Sequence, residues 1–76
     1  MNYKIVAQRM CKIKKEKGIY YSYIQNVTGI SNRRLLNLLR GKSAPRISEF
    51  ALLCIALGVS ADELLQTDEA WEIIER

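Results

Sequence analysis

The residues of this sequence best suited to specific chemistry are clustered between positions 31 and 46. Arg33 can donate a pair of hydrogen bonds to O6 and N7 of guanine, and Asn32 and Asn37 can each form a pair with N6 and N7 of adenine. Because Arg33 and Asn37 are four residues apart, they share one face if the segment is helical. The pattern favours a helix that reads base edges, although an ordinary solvated polar surface would carry the same residues.

The residue types that enzymes use are scarce. The chain has no His, and its two cysteines, Cys11 and Cys54, are too few for a disulfide scaffold or a tetrahedral zinc site. Without His, neither thiol has a base that would activate it as a nucleophile. We therefore expect structural roles for both cysteines, no metal or other cofactor, and a binding module in place of an enzyme.

Charge is distributed unevenly along the chain. Residues 1–46 contain eleven Lys or Arg and one acid, a net charge of +10, whereas residues 47–76 contain one Arg and seven acids, a net charge of −6. A compact body with a basic first part carries a positive face, which suits a polyanion. The asymmetry favours a nucleic acid, although a solvated charged surface is the simpler interpretation of any single lysine run.

The length of 76 residues allows one small domain, which must be compact or supported by a partner. We divide it into one folded domain over residues 1–66, the part expected to contact nucleic acid, and a short acidic extension over residues 67–76. The longest apolar run, Phe50 to Leu57, is far too short to span a membrane, and the N-terminus lacks the apolar stretch of a signal peptide. We therefore expect a cytoplasmic protein without membrane contact.

Apolar spacings of three and four predict an all-α fold, and glycines and one proline divide the chain into helix-sized pieces. The first helix is predicted from about Lys4 to Lys17, with an inward stripe of Val6, Met10 and Ile13. The second is predicted from about Tyr21 to Thr28, with Ile24 and either Val27 or Thr28 inward. A capping box of Ser22 and Gln25 would shorten this second helix by two residues.

The third helix is predicted to start after the N-cap Ser31 and to run to about Arg40, with Leu35 and Leu38 inward. A loop through Pro45 then leads to a fourth helix from Arg46 or Ile47 to Leu57. Its inward stripe is predicted to be Ile47, Phe50, Ala51, Cys54 and Leu57. Ser60 caps a fifth helix that carries Leu64 and Leu65, and Thr67 is a candidate cap for a short sixth.

The second and third predicted helices are joined by the tight turn Thr28 to Ser31. Gly29 allows a positive φ angle, and the apolar Ile30 anchors the corner. Two short helices joined in this way form a helix-turn-helix, whose second helix can enter a major groove.

From about Val6 to Leu65 the chain resembles the lambda-repressor-like, or Cro/C1-type (XRE), helix-turn-helix family without gaps. The residues that carry the resemblance are Lys17-Gly18-Ile19, Gly29-Ile30-Ser31, Arg40-Gly41-Lys42 and Leu57-Gly58-Val59-Ser60-Ala61-Asp62-Glu63-Leu64-Leu65. Together these stretches are specific, although each tripeptide alone would be weak. The resemblance implies a compact five-helix bundle that binds operator DNA, commonly as a homodimer.

The resemblance also implies which residues meet DNA. Bases would be contacted from the third helix by Asn32, Arg33 and Asn37, with Arg34 at the edge. Leu36 on the same side would touch a thymine methyl or belong to a protein interface, and the two interpretations are equally open. Phosphates would be contacted at the start of the second and third helices and in the loop after the third, by Tyr21, Ser22, Ser31, Arg40, Lys42, Ser43 and Arg46.

Several residues depart from the family pattern, among them Tyr21 and Leu39. Tyr21 replaces the Gln that often binds phosphate, which weakens that contact without removing it, and simple rim packing is the favoured interpretation of the neighbouring tyrosines. Leu39 stands where the family often has a Glu paired with the position of Lys14, so that this ion pair cannot form. We expect Leu39 to extend the core instead.

The fourth predicted helix is apolar nearly all round, which indicates burial on two sides. Its outer residues can be covered by the C-terminal segment of the same chain or by a second chain. We favour a homodimer interface that includes Leu52, Ile55, Trp71 and Ile74.

Two functions follow from these residues. The first is a transcriptional regulator of repressor or Cro type that occupies a pseudo-palindromic operator in double-stranded DNA. A variant of it is an antitoxin whose acidic C-terminal segment binds a protein partner. The second is a protein-interaction module on the same scaffold, for which the exposed apolar residues and the tyrosine cluster argue.

Overall fold

Residues 3–65 are described by the computed structural model, and they form five α-helices with no strand among them. The helices are α1 (Tyr3–Lys17), α2 (Tyr21–Thr28), α3 (Asn32–Leu39), α4 (Ile47–Leu57) and α5 (Ala61–Leu65). The predicted all-α fold and its five helices are confirmed. The candidate sixth helix and the extension 67–76 lie outside the described residues.

One core holds the helices together. Its fully buried side chains come from every helix: Val6, Met10, Ile24, Leu35, Leu38, Leu53, Leu57 and Leu64. Leu39 is also buried, which confirms that it extends the core in place of an ion pair. α1 packs against α3, α4 and α5, whereas α2 packs against α3 and α4. The position of α3 is therefore fixed from two sides.

α1 also donates hydrogen bonds to the C-terminal carbonyls of the three later helices. The Cys11 thiol donates to Leu39 O of α3 at 3.1 Å, and Lys17 Nζ donates to Leu57 O of α4 at 2.8 Å. Arg9 Nη1 lies 3.4 Å from Leu64 O of α5. These carbonyls have no partner within their own helices, and positive charge is favourable beside them. Part of the basic character of α1 thus serves the fold.

The orientation of α4 differs from the prediction. Ile47 is 91% exposed and Ala51 is also exposed, whereas Leu53 and Ala56, absent from the predicted stripe, are buried. The stripe was ambiguous because α4 is apolar on nearly every side, so that spacing alone does not select the inner face. Contact with α1 and α2 selects it.

The other helix ends follow the sequence more closely. α2 starts at Tyr21, so the shortened helix with a Ser22–Gln25 capping box is wrong. Thr28, and not Val27, is the buried partner of Ile24. Ser60 caps α5 by accepting a hydrogen bond from Glu63 N at 3.3 Å.

Among the described helices, none has the length and apolar character that a bilayer crossing requires.

Candidate nucleic-acid interface

The turn between α2 and α3 is held by its own backbone and by one hydroxyl. Gly29 adopts a φ of 71° and its N–H donates to Gln25 O at 2.8 Å, which ends α2. The Thr28 hydroxyl donates to Ile24 O at 2.7 Å and accepts from Ile30 N at 3.2 Å. A side chain with a Cβ is strained at this φ, so the glycine is needed here. The turn therefore sets α3 at a fixed angle to α2.

α3 has one face in the core and one face in solvent. Leu35, Leu38 and Leu39 are buried, and Ser31 caps the helix by accepting a hydrogen bond from Arg34 N at 3.3 Å. The opposite face carries Asn32 and Arg33, which are exposed, and Leu36 and Asn37, which are half-buried. The structure thus brings four of the five predicted base-contacting residues onto one outer face.

Arg34, the fifth predicted base-contacting residue, is placed differently. Its Nε and Nη2 donate to the two carboxylate oxygens of Glu49 at 2.9 and 2.8 Å, and Nη2 also donates to Ala44 O at 3.2 Å. Three of the five guanidinium donors are therefore engaged within the protein. This bidentate pair joins the first turn of α3 to the first turn of α4.

Glu49 is the residue beside the predicted site that the sequence interpretation missed. Besides Arg34, it accepts a hydrogen bond from Arg46 N at 2.8 Å, which caps α4. These donors lower the pKa of Glu49 from its usual 4.5 to about 2, with the hydrogen bonds from Arg34 as the largest cause. A Glu in the first turn of a helix is a recognisable capping signal. Arg34 lies fifteen positions earlier, and nothing in the sequence identifies it as the partner of Glu49.

The loop between α3 and α4 holds most of the predicted phosphate-contacting residues. Arg40, Lys42 and Arg46 are exposed, and Ser43 is half-buried. Gly41 is buried against α1 with a φ of 72°, and a Cβ there would lie 3.4 Å from the Cα of Lys4. Lys42 N donates to Asn37 O at 3.0 Å, which ends α3. The loop backbone is therefore anchored while its cationic side chains remain at the surface.

The start of α2 presents two of the three other predicted phosphate-contacting residues, and the third, Ser31, is the exposed N-cap of α3. Ser22 is exposed, and Tyr20 N-caps the helix without a side-chain hydrogen bond. The Lys14 ammonium lies 4.1 Å from the ring centroid of Tyr21, a cation–π contact that orients the ring toward α1. The N-terminus of α2 is thus without a side-chain cap, and the Lys14 ammonium lies over the ring of its first residue.

An apolar groove lies beside this region, on the other side of α2. It has a volume of about 470 Å³ and runs between the α1–α2 turn and the end of α4. Tyr20, Tyr23 and Ile55 line it, and these side chains are 77%, 52% and 67% exposed. Of the predicted interface residues, Ile55 lines this groove and Leu52 is half-buried nearby in α4. Trp71 and Ile74 lie outside the described residues.

The two thiols show no sign of activation. Burial raises the pKa of Cys54, and it also raises the pKa of Cys11 despite the opposing charge of Lys14. Both therefore stay protonated near neutral pH. Within residues 3–65, no group of three or more His, Cys, Asp or Glu side chains is placed to hold a metal ion.

Comparison with known proteins agrees with this geometry. The Helix-turn-helix family matches residues 12–64. The chain is similar to an uncharacterized HTH-type transcriptional regulator, y4dJ, of Sinorhizobium fredii (strain NBRC 101917 / NGR234), with 34% identity over 67 residues and 87% of each chain covered. No solved structure matches it. The chain belongs to the Cro/C1-type helix-turn-helix family of DNA-binding transcriptional regulators.

Proposed function

We propose that the chain is a sequence-specific regulator of repressor or Cro type that inserts α3 into the major groove of a pseudo-palindromic operator. The observation that carries this proposal is the outer face of α3. Arg33 and Asn37 lie on that face, opposite Leu35 and Leu38 in the core. Occupancy of a promoter would then exclude polymerase by steric hindrance. The cytoplasm is the compartment where a bacterial regulator would meet DNA.

Base contacts are assigned to Asn32, Arg33 and Asn37, and Leu36 on the same face would touch a thymine methyl or belong to a protein interface. The Arg33 side chain is exposed and makes no hydrogen bond or ion pair with another described residue, so its guanidinium would be available to guanine. We assign Arg34 a positioning role, because the ion pair between Arg34 and Glu49 would have to open before the guanidinium could reach a base. Its predicted base contact is the least supported of the five.

Phosphate contacts are assigned around α3. The loop supplies Arg40, Lys42, Ser43 and Arg46, and the helix starts supply Tyr21, Ser22 and Ser31 with the first-turn N–H groups. Such contacts fix the register of the protein on DNA and make its affinity steeply dependent on salt, but they do not choose a sequence.

The test is selection of bound duplexes from a randomised pool at about 150 mM salt, where exposed charges are already screened over about 8 Å. A dimeric regulator should enrich a pseudo-palindrome with half-sites about 10 bp apart. Failure of a folded protein to enrich any sequence would contradict the proposal.

A homodimer is part of the proposal, because two α3 copies about 34 Å apart are needed to enter successive major grooves. The groove with Ile55 is the exposed apolar surface best suited to the contact, together with Leu52. Sedimentation at tens of micromolar should show a dimer that Ile55→Asp dissociates, while Gln8→Asp on the exposed side of α1 leaves it intact. A monomer from the unaltered chain would contradict the assignment.

A protein-interaction module is the second candidate function, and the same groove is the observation that favours it. Aromatic residues are enriched at protein interfaces, and Tyr20 and Tyr23 present theirs beside Ile55. The partner would be another regulator or a toxin, bound here or through the acidic C-terminal segment. A chain that enriches no duplex but whose binding to another regulator is lost in Ile55→Asp would have this function.

A further inference from the structure

One acid is packed against the basic region that the proposed function brings to DNA. Residues 31–46 contain five Arg or Lys and no acid, and Glu49 follows in the first turn of α4. Four of the five cations are exposed, whereas Arg34 is half-buried and paired with Glu49. A carboxylate beside a surface that binds a polyanion opposes that binding, so its place here needs a physical reason.

We propose that Glu49 is a positioning residue that withholds the Arg34 guanidinium from the DNA backbone, and so limits the affinity of the chain for DNA of any sequence. The inference rests on the proposed DNA binding. Arg34 is three residues before Asn37 and therefore starts beside the outer face of α3. Its guanidinium is turned to α4 instead, where Nε and Nη2 lie 2.9 and 2.8 Å from the two carboxylate oxygens of Glu49.

The Arg34 guanidinium lies next to the loop that is assigned to phosphate contacts. Its Nη2 donates to Ala44 O of that loop at 3.2 Å. A guanine edge accepts a pair of hydrogen bonds in one plane within the groove, whereas phosphate oxygens lie along the whole backbone and accept donors from many directions. An Arg34 released from Glu49 is therefore expected to bind a phosphate and not a base.

The ion pair withstands competition from phosphate because it is already formed. Carboxylate and phosphate both accept paired hydrogen bonds from Arg, so the two contacts are similar in strength. Exchange would break three hydrogen bonds within the protein and leave the Glu49 side chain, which is 15% exposed, without its cation. Separating a largely buried charge from its partner is costly. Arg34 thus adds no phosphate contact while Glu49 is ionised.

Titration of Glu49→Gln with unrelated and selected duplexes at several salt concentrations tests the inference. The amide keeps one oxygen for Arg46 N but cannot accept both hydrogen bonds from Arg34, so the guanidinium is released. One further phosphate contact should raise the affinity for both duplexes about fivefold at about 150 mM salt and steepen the slope of log K against log salt by about 0.9. A merely structural role would weaken binding instead, because the variant loses a link between α3 and α4.

Two further variants separate the possible causes of a gain. Glu63→Gln, in the first turn of α5, makes the same change in net charge and should leave the slope unchanged. In the double variant Arg34→Ala, Glu49→Gln the released cation is absent, so affinity and slope should return to those of the unaltered chain. Circular dichroism confirms that each variant is folded.

Three results would overturn the inference alone. Equal slopes for the unaltered chain and Glu49→Gln would show that Arg34 is not withheld. A gain that persists in the double variant would assign the effect to repulsion by the carboxylate itself, and a gain confined to the selected duplex would place Arg34 on a base. A folded, unaltered chain that binds no duplex would overturn the proposed function as well, so the two failures are distinguishable.

Discussion

α3 and α4 share one core, but their outer faces differ in chemistry. α3 presents Asn32, Arg33 and Asn37 to solvent, whereas α4 presents Ile47 and Ile55. Hydrogen-bonding groups remain hydrated until a partner with matching donors and acceptors replaces the water. Covering exposed apolar surface with any other apolar surface is instead favourable by about 25 cal/mol per Å². The outer face of α3 therefore suits a chemically specific partner, and the outer face of α4 suits apolar contact.

The largest effect should come from the inner face of α3. Leu35→Ala is expected to lower the free energy of unfolding by about 2–5 kcal/mol, because Leu35 is fully buried and the change leaves a cavity. Urea unfolding measures this loss. The half-buried Leu36 is the matched control, and Leu36→Ala should cost less than about 1.5 kcal/mol. Equal losses would mean that α3 does not divide into a core face and a free face.

Measurements of DNA binding should distinguish the outer face of α3 from the outer face of α4. Arg33→Ala is expected to weaken binding at the selected site by about 1–3 kcal/mol and to relax the preference at one base pair. The free energy of unfolding should change by less than about 0.5 kcal/mol, because Arg33 is exposed. Binding to the selected duplex and to single-base variants measures the change.

The comparison variant is Ile47→Ser on α4, which should retain the full base preference. Loss of that preference in Ile47→Ser, or its retention in Arg33→Ala, would remove the distinction between the two outer faces.

The orientation of α3 could be predicted from the sequence because polar and apolar residues alternate around it with a helical period. Leu35 and Leu38 were expected inside and are inside, and the Ser31 cap and Gly29 turn formed as their residue types predict. α4 lacks such contrast, since Ile47, Leu53 and Ile55 have similar hydrophobicity. Its inner face depends on contacts from α1 and α2, which are distant in sequence, and was therefore predicted wrongly in part.

The same limit explains why the sequence did not distinguish the two arginines of an adjacent pair. Arg33 and Arg34 are identical in sequence terms, and both have the donors that base recognition needs. Arg34 differs because α4 places the Glu49 carboxylate 2.8 Å from its Nη2. That proximity arises because α1 and α2 each pack against both α3 and α4 and so fix where the two helices start, and no local pattern encodes it.

The ion pair between Arg34 of α3 and Glu49 of α4 should have a smaller effect on the free energy of unfolding, and this effect should depend on pH. Because the pKa of Glu49 is about 2 in the folded chain and 4.5 without its partners, the ionised pair stabilises the fold above about pH 4.5. That stabilisation is lost as the pH falls from about 4.5 to about 2. Glu49→Gln should therefore lower the free energy of unfolding by about 1 kcal/mol at neutral pH. The difference from the unaltered chain should shrink over this range and be largely lost at about pH 2.

Urea unfolding of both chains across this pH range measures the difference, and the other carboxylates cancel between them. Asp62→Asn on the exposed side of α5 is a control that should not reproduce the profile. A Glu49→Gln deficit that persists unchanged at about pH 2 would show that the carboxylate contributes through packing and not through its charge.

The smallest effect should come from the loop that joins the two helices. Lys42 is exposed and, on the proposed interface, contacts a phosphate, so Lys42→Ala should weaken binding to selected and unrelated duplexes by the same factor. Releasing one fewer counterion should reduce the slope of log K against log salt by about 0.9. Titrations at several salt concentrations measure the slope. Lys12→Ala, at an exposed position of α1 outside the proposed contacts, is a charge-matched control that should leave it unchanged. A loss confined to the selected duplex would instead move Lys42 to the base-reading surface and extend the recognition face of α3 into the loop.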